Sequence, residues 1–356
     1  MQRNKILSLL VLVIVVLTAS GCTINLGFGG TPSGPDGGIF KTTNNGDTWV
    51  AKSLIPTISG KPNSISDLDN SLIVLDPSDP KALYFGTIEN GIFYSYDAGE
   101  TWLPIKSLGP ITPSAFAVDS IAKCSLYTAI ANKVLKSTDC GRSWQQVYYD
   151  NSVDITIPSI AVDHYDSHNV FIGTSRGEII TSNDYGQSWR TLQRFDNPVL
   201  KILIAPNDSR VIMVATRDKG LYRSTDKGLT WVSLQDNLKE FPDSAHFRDL
   251  VFSKAQPGFI IFATNYGLLK SINNGDDWTA IKLITPEKNA TINSVVLSAH
   301  DTREIYYITD TTFYRTVDGG INWSTKKLPS TRAGLTIIDD PTTDGVIYLG
   351  LKKIQQ

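Results

Sequence analysis

The sequence predicts an all-β fold: a seven-bladed β-propeller with four-stranded blades, closed by pairing N-terminal and C-terminal strands in one shared blade. Three observations lead there. First, an eight-residue phrase, most complete in Ser224-Thr225-Asp226-Lys227-Gly228-Leu229-Thr230-Trp231, occurs seven times, the other copies starting at Thr42, Ser95, Ser137, Ser182, Ser271 and Thr316. Second, each copy ends on a tryptophan, and the gaps from Trp49 through Trp102, Trp144, Trp189, Trp231 and Trp278 to Trp323 are 53, 42, 45, 42, 47 and 45 residues. That is the length of a four-stranded propeller blade. Third, the two ends of the chain are complementary halves of one repeat.

At the N-terminus, Arg3 and Lys5 precede the apolar run Ile6 to Leu17, and Ala19, Ser20 and Gly21 lead into Cys22. Such a run rises only about 18 Å as a helix, short of the roughly 30 Å hydrocarbon core, so residues 1–21 read as a signal peptide. Ala-Ser-Gly-Cys resembles the bacterial lipoprotein signal, which implies lipidation of Cys22 and anchoring at the outer face of a bacterial membrane, in the cell envelope. An ordinary cleaved signal peptide is the alternative. Residues 22–37 are rich in glycine and proline and read as a flexible tether. The propeller is expected over 38–352, with 353–356 as a tail.

The fifth repeat shows the unit clearly. Leu200 to Ala205 is an apolar run, Pro206 to Ser209 a turn, and Val211 to Thr216 a second strand. Leu221 to Ser224 and Trp231 to Leu234 complete four antiparallel strands. The same order returns before Trp102, Trp189, Trp278 and Trp323. Gly38 to Lys41 and Trp49 to Lys52 lack a first and second strand, while Leu335 to Ile338 and Val346 to Gly350 lack a third and fourth. Joining them gives six whole blades and one shared blade, and removes exposed sheet edges.

Within the phrase, the carboxylate or amide of Asn44, Asp97, Asp139, Asp184, Asp226, Asn273 or Asp318 sits two residues before a glycine, between two strands. There it can accept hydrogen bonds from its own turn. Asparagine in two copies suits this role and does not suit acid–base catalysis. Each tryptophan is expected to face a neighbouring blade, contributing at most about 4–6 kcal/mol by burial.

Ser-x-Asp-x-Gly-x-Thr-Trp resembles the Asp-box, or bacterial neuraminidase repeat, over Gly38 to Gly350. The repeat is found in sialidases, xyloglucanases, the luminal domain of sortilin, and photosystem II assembly factors. Tyr84 to Ser95 is similar to the sortilin and xyloglucanase style of repeat. The resemblance implies the fold and leaves the function open.

Charge is nearly balanced, with 33 Lys+Arg against 35 Asp+Glu, which argues against nucleic acid as a partner. A sialidase would carry an Arg-Ile-Pro signature, and none occurs. Xyloglucanases resembling this chain use two propellers face to face with one catalytic carboxylate from each. The histidines His164, His168, His246 and His300 are not placed beside a nucleophile motif, and no metal, cofactor or catalytic residue is expected. Cys124 and Cys140 fall close together across the hairpin at Ala131-Asn132. In an exported protein that favours a disulfide, with two neighbouring thiols as the alternative.

The phrases lie on one rim, so binding is expected on the other. There Arg176, Lys201, Arg217, Lys219, His246, Arg248 and Tyr266 form a basic sector suited to an acidic protein segment or a glycan. The main expectation is a membrane-anchored, extracytoplasmic, monomeric, non-catalytic binding or assembly scaffold. The alternative is a cell-surface carbohydrate-active protein, a glycoside hydrolase or lectin, with Asp67, Asp69, Glu89 and Asp249 as candidate carboxylates.

Overall fold

The computed structural model describes residues 36–289 and 291–354. The signal peptide, Cys22 and nearly all of the tether lie outside the described residues. No helix among the described residues is long and apolar enough to cross a membrane.

Seven four-stranded antiparallel sheets form the ring. Numbered by their tryptophans, the second blade comprises Asn70–Asp76, Asp79–Thr87, Ile92–Ser95 and Leu103–Pro104. The third comprises Ala115–Val118, Leu126–Ile130, Lys133–Ser137 and Gln145–Tyr149. The fourth to seventh begin at Ser159–Val162, Val199–Ala205, Phe247–Phe252 and Ser294–Leu297. The first blade is the shared one. Ala333–Asp339 and Ile347–Lys352 supply its inner strands, and Ile39–Thr42 pairs with Ile347–Lys352 in the register Ile39↔Gly350 and Thr42↔Ile347. Val50–Ala51 is its outermost strand. A small ribbon of Leu54–Ile55 with Asn63–Ser64 lies outside the blades.

The sheet twist leaves apolar faces between adjacent blades, and each of the seven junctions carries its own core. The junction of the fifth and sixth blades holds thirteen buried residues, among them Met213, Leu250, Phe262 and Trp278. The junction of the second and third holds six, including Tyr84, Ile105 and Phe116, and is the smallest. The tryptophans are less uniform than the sequence suggested. Trp102 is 0% exposed and Trp278 7%, but Trp49, Trp144, Trp189, Trp231 and Trp323 are only half-buried. Trp102, Trp189 and Trp323 each donate an indole N–H to the preceding repeat, at the carbonyls of Lys52, Val147 and Lys282.

The phrase itself is a hydrogen-bonded clasp. In the fifth blade the Ser224 hydroxyl donates to Asp226 Oδ1 at 2.8 Å and accepts the Gly228 N–H at 2.7 Å. Asp226 Oδ1 accepts the Thr230 N–H at 2.9 Å, and Oδ2 the Thr230 hydroxyl at 2.6 Å. Lys227 and Gly228 take φ of 60° and 86°, and glycine holds the second of these without strain. The left-handed residue then turns its N–H back to the loop before the second strand or to that strand's start, Cys140 to the Cys124 carbonyl and Lys227 to the Arg210 carbonyl. These bonds hold Asp139, Asp184, Asp226 and Asp318 down at about 2.

Arg332 fastens the closure. It is 8% exposed and reaches Asp69 at 2.8 Å and Asp36 at 3.5 Å. Asp69 Oδ1 also accepts the Lys353 N–H at 2.7 Å. One guanidinium thus joins the entry to the propeller, the entry to the second blade and the returning C-terminal blade.

Candidate functional site

The inner strands surround a channel of about 490 Å³ lined by the first, second, fifth, sixth and seventh blades. Three successive inner strands are stitched together across it. Lys201 on the fifth blade reaches Asp249 on the sixth at 2.6 Å. The other oxygen of Asp249 accepts the Ser294 hydroxyl at 3.0 Å and the Val295 N–H at 2.9 Å on the seventh. With the Leu250 N–H on Oδ1 as well, Asp249 is fully engaged and positions the strands.

None of the other candidate carboxylates lines the channel. Asp67 and Asp69 both face Arg332. Glu89 is exposed in a separate loop, with a φ of 64° and its N–H on Thr112. Much of the basic sector is neutralised within the fold. Arg176 binds Asp150 and Glu178 at 2.9 and 2.7 Å, and Arg194 shares Glu178. His246 lies 3.0 Å from Asp218. Tyr266 donates to Glu287 at 2.8 Å and packs edge-on to Phe241. Arg248 meets the neutral amide of Asn265. Arg217 and Lys219 are exposed and have no acidic partner among the described residues.

At the end of the channel nearest the repeated phrases stands Asp339, a residue the sequence reading passed over. Its signal was legible in register. The residue before the turn at the end of each inner strand is Leu75, Val118, Val162, Ile204, Phe252 or Leu297 in the other blades, and Asp339 in the first. Burial pushes its carboxyl up to about 7, against the Ala299 N–H at 3.1 Å and the nearby Lys254 and His300, while Asp340 adds to the rise. Lys254 is open to channel water, yet enclosure by the ring lowers its pKa. The channel therefore holds a carboxylic acid able to keep its proton near neutrality, beside a cation.

A second concavity, of about 830 Å³, opens between the second and third blades on the rim that bears the phrases. Binding was expected on the opposite rim. Two of its walls are Tyr94 and Tyr96, and Cys124 and Cys140 lie opposite, joined as a disulfide with Cα atoms 4.1 Å apart.

The clasp geometry, repeated at seven blade edges, decides the class of ring. The chain is an Asp-box seven-bladed propeller. The Sortilin-Vps10 family model (sortilin, neurotensin receptor 3) matches residues 132–250 and 177–282. Xyloglucanase Xgh74A of Acetivibrio thermocellus is 27% identical over 198 residues, covering 50% of this chain and 20% of its own length. The chain thus spans about a fifth of that relative. Among solved structures, the GH74 xyloglucanase from Xanthomonas campestris superposes with a TM-score of 0.63 at 17% identity, covering 80% of this chain and 51% of that one. YCF48 from Cyanidioschyzon merolae gives a TM-score of 0.59 at 15% identity, covering 88% and 99%. At these identities the superpositions speak to fold alone.

The curated similarity corrects the functional expectation. A non-catalytic binding or assembly scaffold was the main expectation from sequence, but the curated relatives include xyloglucanases matched over half of the chain. That favours the carbohydrate-active alternative. The physical reason for the miss is that the repeated phrase closes blades, and so is shared by propellers that do unrelated things.

Proposed function

We propose that this protein is a carbohydrate-active propeller that engages xyloglucan or a closely similar β-linked polysaccharide at the channel. The observation that carries the reading is the similarity to xyloglucanases over half of the chain. The channel supports it chemically. Glycoside chemistry needs a carboxylic acid that stays protonated near neutral pH to donate to the leaving oxygen. Asp339 has that property through its burial in the lumen. Lys254 and His300 set its charge environment, and Asp249 with Lys201 keeps the inner strands in place. A sugar entering from the Asp-box end meets Asp339 first. Asp249 is not free to act as a base, so binding is the robust property of this ring and turnover depends on a second carboxylate.

The test is affinity electrophoresis in xyloglucan gels together with release of reducing ends. The native protein is expected to be retarded by xyloglucan, and any hydrolysis is expected to vanish in Asp339→Asn while its melting temperature is kept. A native protein that neither binds nor cleaves xyloglucan overturns the proposal.

A further inference from the structure

The groove between the second and third blades breaks the pattern of the ring. One residue before the serine or threonine of the phrase, the other blades place Lys41, Lys136, Thr181, Arg223, Lys270 and Arg315. Three of these cations cross to the left-handed residue of the next blade: Lys41 to the Ala98 carbonyl at 3.0 Å, Lys136 to that of Tyr185 at 3.0 Å, and Arg223 to that of Asn274 at 2.9 Å. In the second blade this position is Tyr94, and the residue it would have to reach is Cys140. Tyr94 instead packs against Tyr96, ring centroids 5.0 Å apart at 47°.

The neighbourhood is rebuilt to match. Ser107 donates to the Gly141 carbonyl at 2.5 Å. The corresponding carbonyl, Gly228, receives the indole N–H of Trp231 in the fifth blade, whereas the Trp144 indole N–H, like that of Trp49, is buried without a partner among the described residues. The Cys124–Cys140 disulfide braces the far wall in place of the crossing cation. This junction also has the smallest core, and the result is an opening of about 830 Å³, within the roughly 300–1,000 Å³ of small-molecule sites.

The lining has the chemistry of sugar recognition. Tyr96 is 50% exposed and, with Tyr94, offers an aromatic face against which the C–H face of a pyranose ring can stack. Asp76 and Asp79 on one side, and Lys106, Lys123 and Arg142 on the other, present acceptors and donors for ring hydroxyls. Their charges nearly balance, which suits a neutral sugar better than a strongly anionic one.

We infer that this groove is a glycan-binding subsite, separate from the channel, that holds a neutral pyranose of a polysaccharide on the Tyr94–Tyr96 platform. The ligand class rests on the carbohydrate reading above; the site does not involve Asp339. A polymer held here would be retained on the flank of the ring while another part of it reached the lumen.

Isothermal titration with a xyloglucan oligosaccharide and with cellohexaose tests the site, using the native protein, Tyr96→Ala and Tyr94→Lys. Tyr94→Lys introduces the crossing cation found at three of the other junctions and should close the groove while raising or keeping the melting temperature. Both variants are expected to lose about tenfold or more in affinity at one of two sites, and Asp339→Asn to leave that site unchanged. Full affinity and stoichiometry in both tyrosine variants overturns the subsite while leaving the carbohydrate reading intact. Absence of binding to either sugar by the native protein overturns both.

Discussion

Replacing Arg332 with leucine removes the cation on which the ring closure converges. The side chain is 8% exposed, and the acids it serves are sheltered too, with side-chain exposures of 12% for Asp36 and 22% for Asp69. Stranding a buried charge by deleting its partner costs about 3–5 kcal/mol. Here each acid keeps other donors, Thr331 and Ser330 for Asp36 and the Lys353 N–H for Asp69, so the low end, about 3 kcal/mol, is expected. For a ring of this size the unfolding entropy converts that into a fall of roughly 5 °C in melting temperature. The assay is thermal unfolding by circular dichroism of the native protein, Arg332→Leu, Asp69→Asn and the double variant. The double variant should lose less than the two single losses together, because the stranded acid is gone. A melting temperature within about 1 °C of native for Arg332→Leu would refute the assignment, and so would strict additivity.

Two pH dependences of opposite sign follow from the carboxylates. Folded Asp339 keeps its proton to about 7, against an ordinary 3.8, so it lowers stability as pH rises from about 4 to about 7, by at most on the order of 4 kcal/mol. Urea unfolding at pH 5 and pH 8 should show that loss in the native protein and little of it in Asp339→Asn; equal slopes for both would count against the buried acid. The Asp-box carboxylates behave conversely, since about 2 lies below their ordinary 3.8. Their contribution is complete above about 4 and is lost as pH falls through about 2. Asp226→Asn should melt like the native protein at neutral pH, as Asn44 and Asn273 do the same work, while Asp226→Ala should melt lower.

The ring was legible in the sequence because the closing phrase is local. Asp226, Gly228 and Trp231 lie within six residues, and the bonds made at the Asp226 and Gly228 positions recur in every copy. Closure was legible for the same reason, since each terminal segment lacked the strands the other supplied. The Arg332 clasp was not, because its acids lie more than 260 residues away in the chain and no spacing connects them. Asp339 and Tyr94 were visible only as departures, one an acid in a column of apolar residues and the other an aromatic in a column of five cations and a threonine. Reading them requires the blades to be set in register first. The internal pairing of the basic sector was not legible, because the sequence names Arg176 and Lys201 without showing the carboxylates folded against them.

The shared blade couples folding to the direction of synthesis. Ile39–Thr42 leaves the ribosome early, but its inner neighbour Ile347–Lys352 is made more than three hundred residues later. Until then the first strand has no inward partner and the newest complete blade presents an open face. A chain halted anywhere before Ile347 is left with an unclosed circle, whose bare strand edges invite pairing with other chains. Attainment of the closed ring thus waits on the synthesis of Ile347–Lys352, however early the other blades are made.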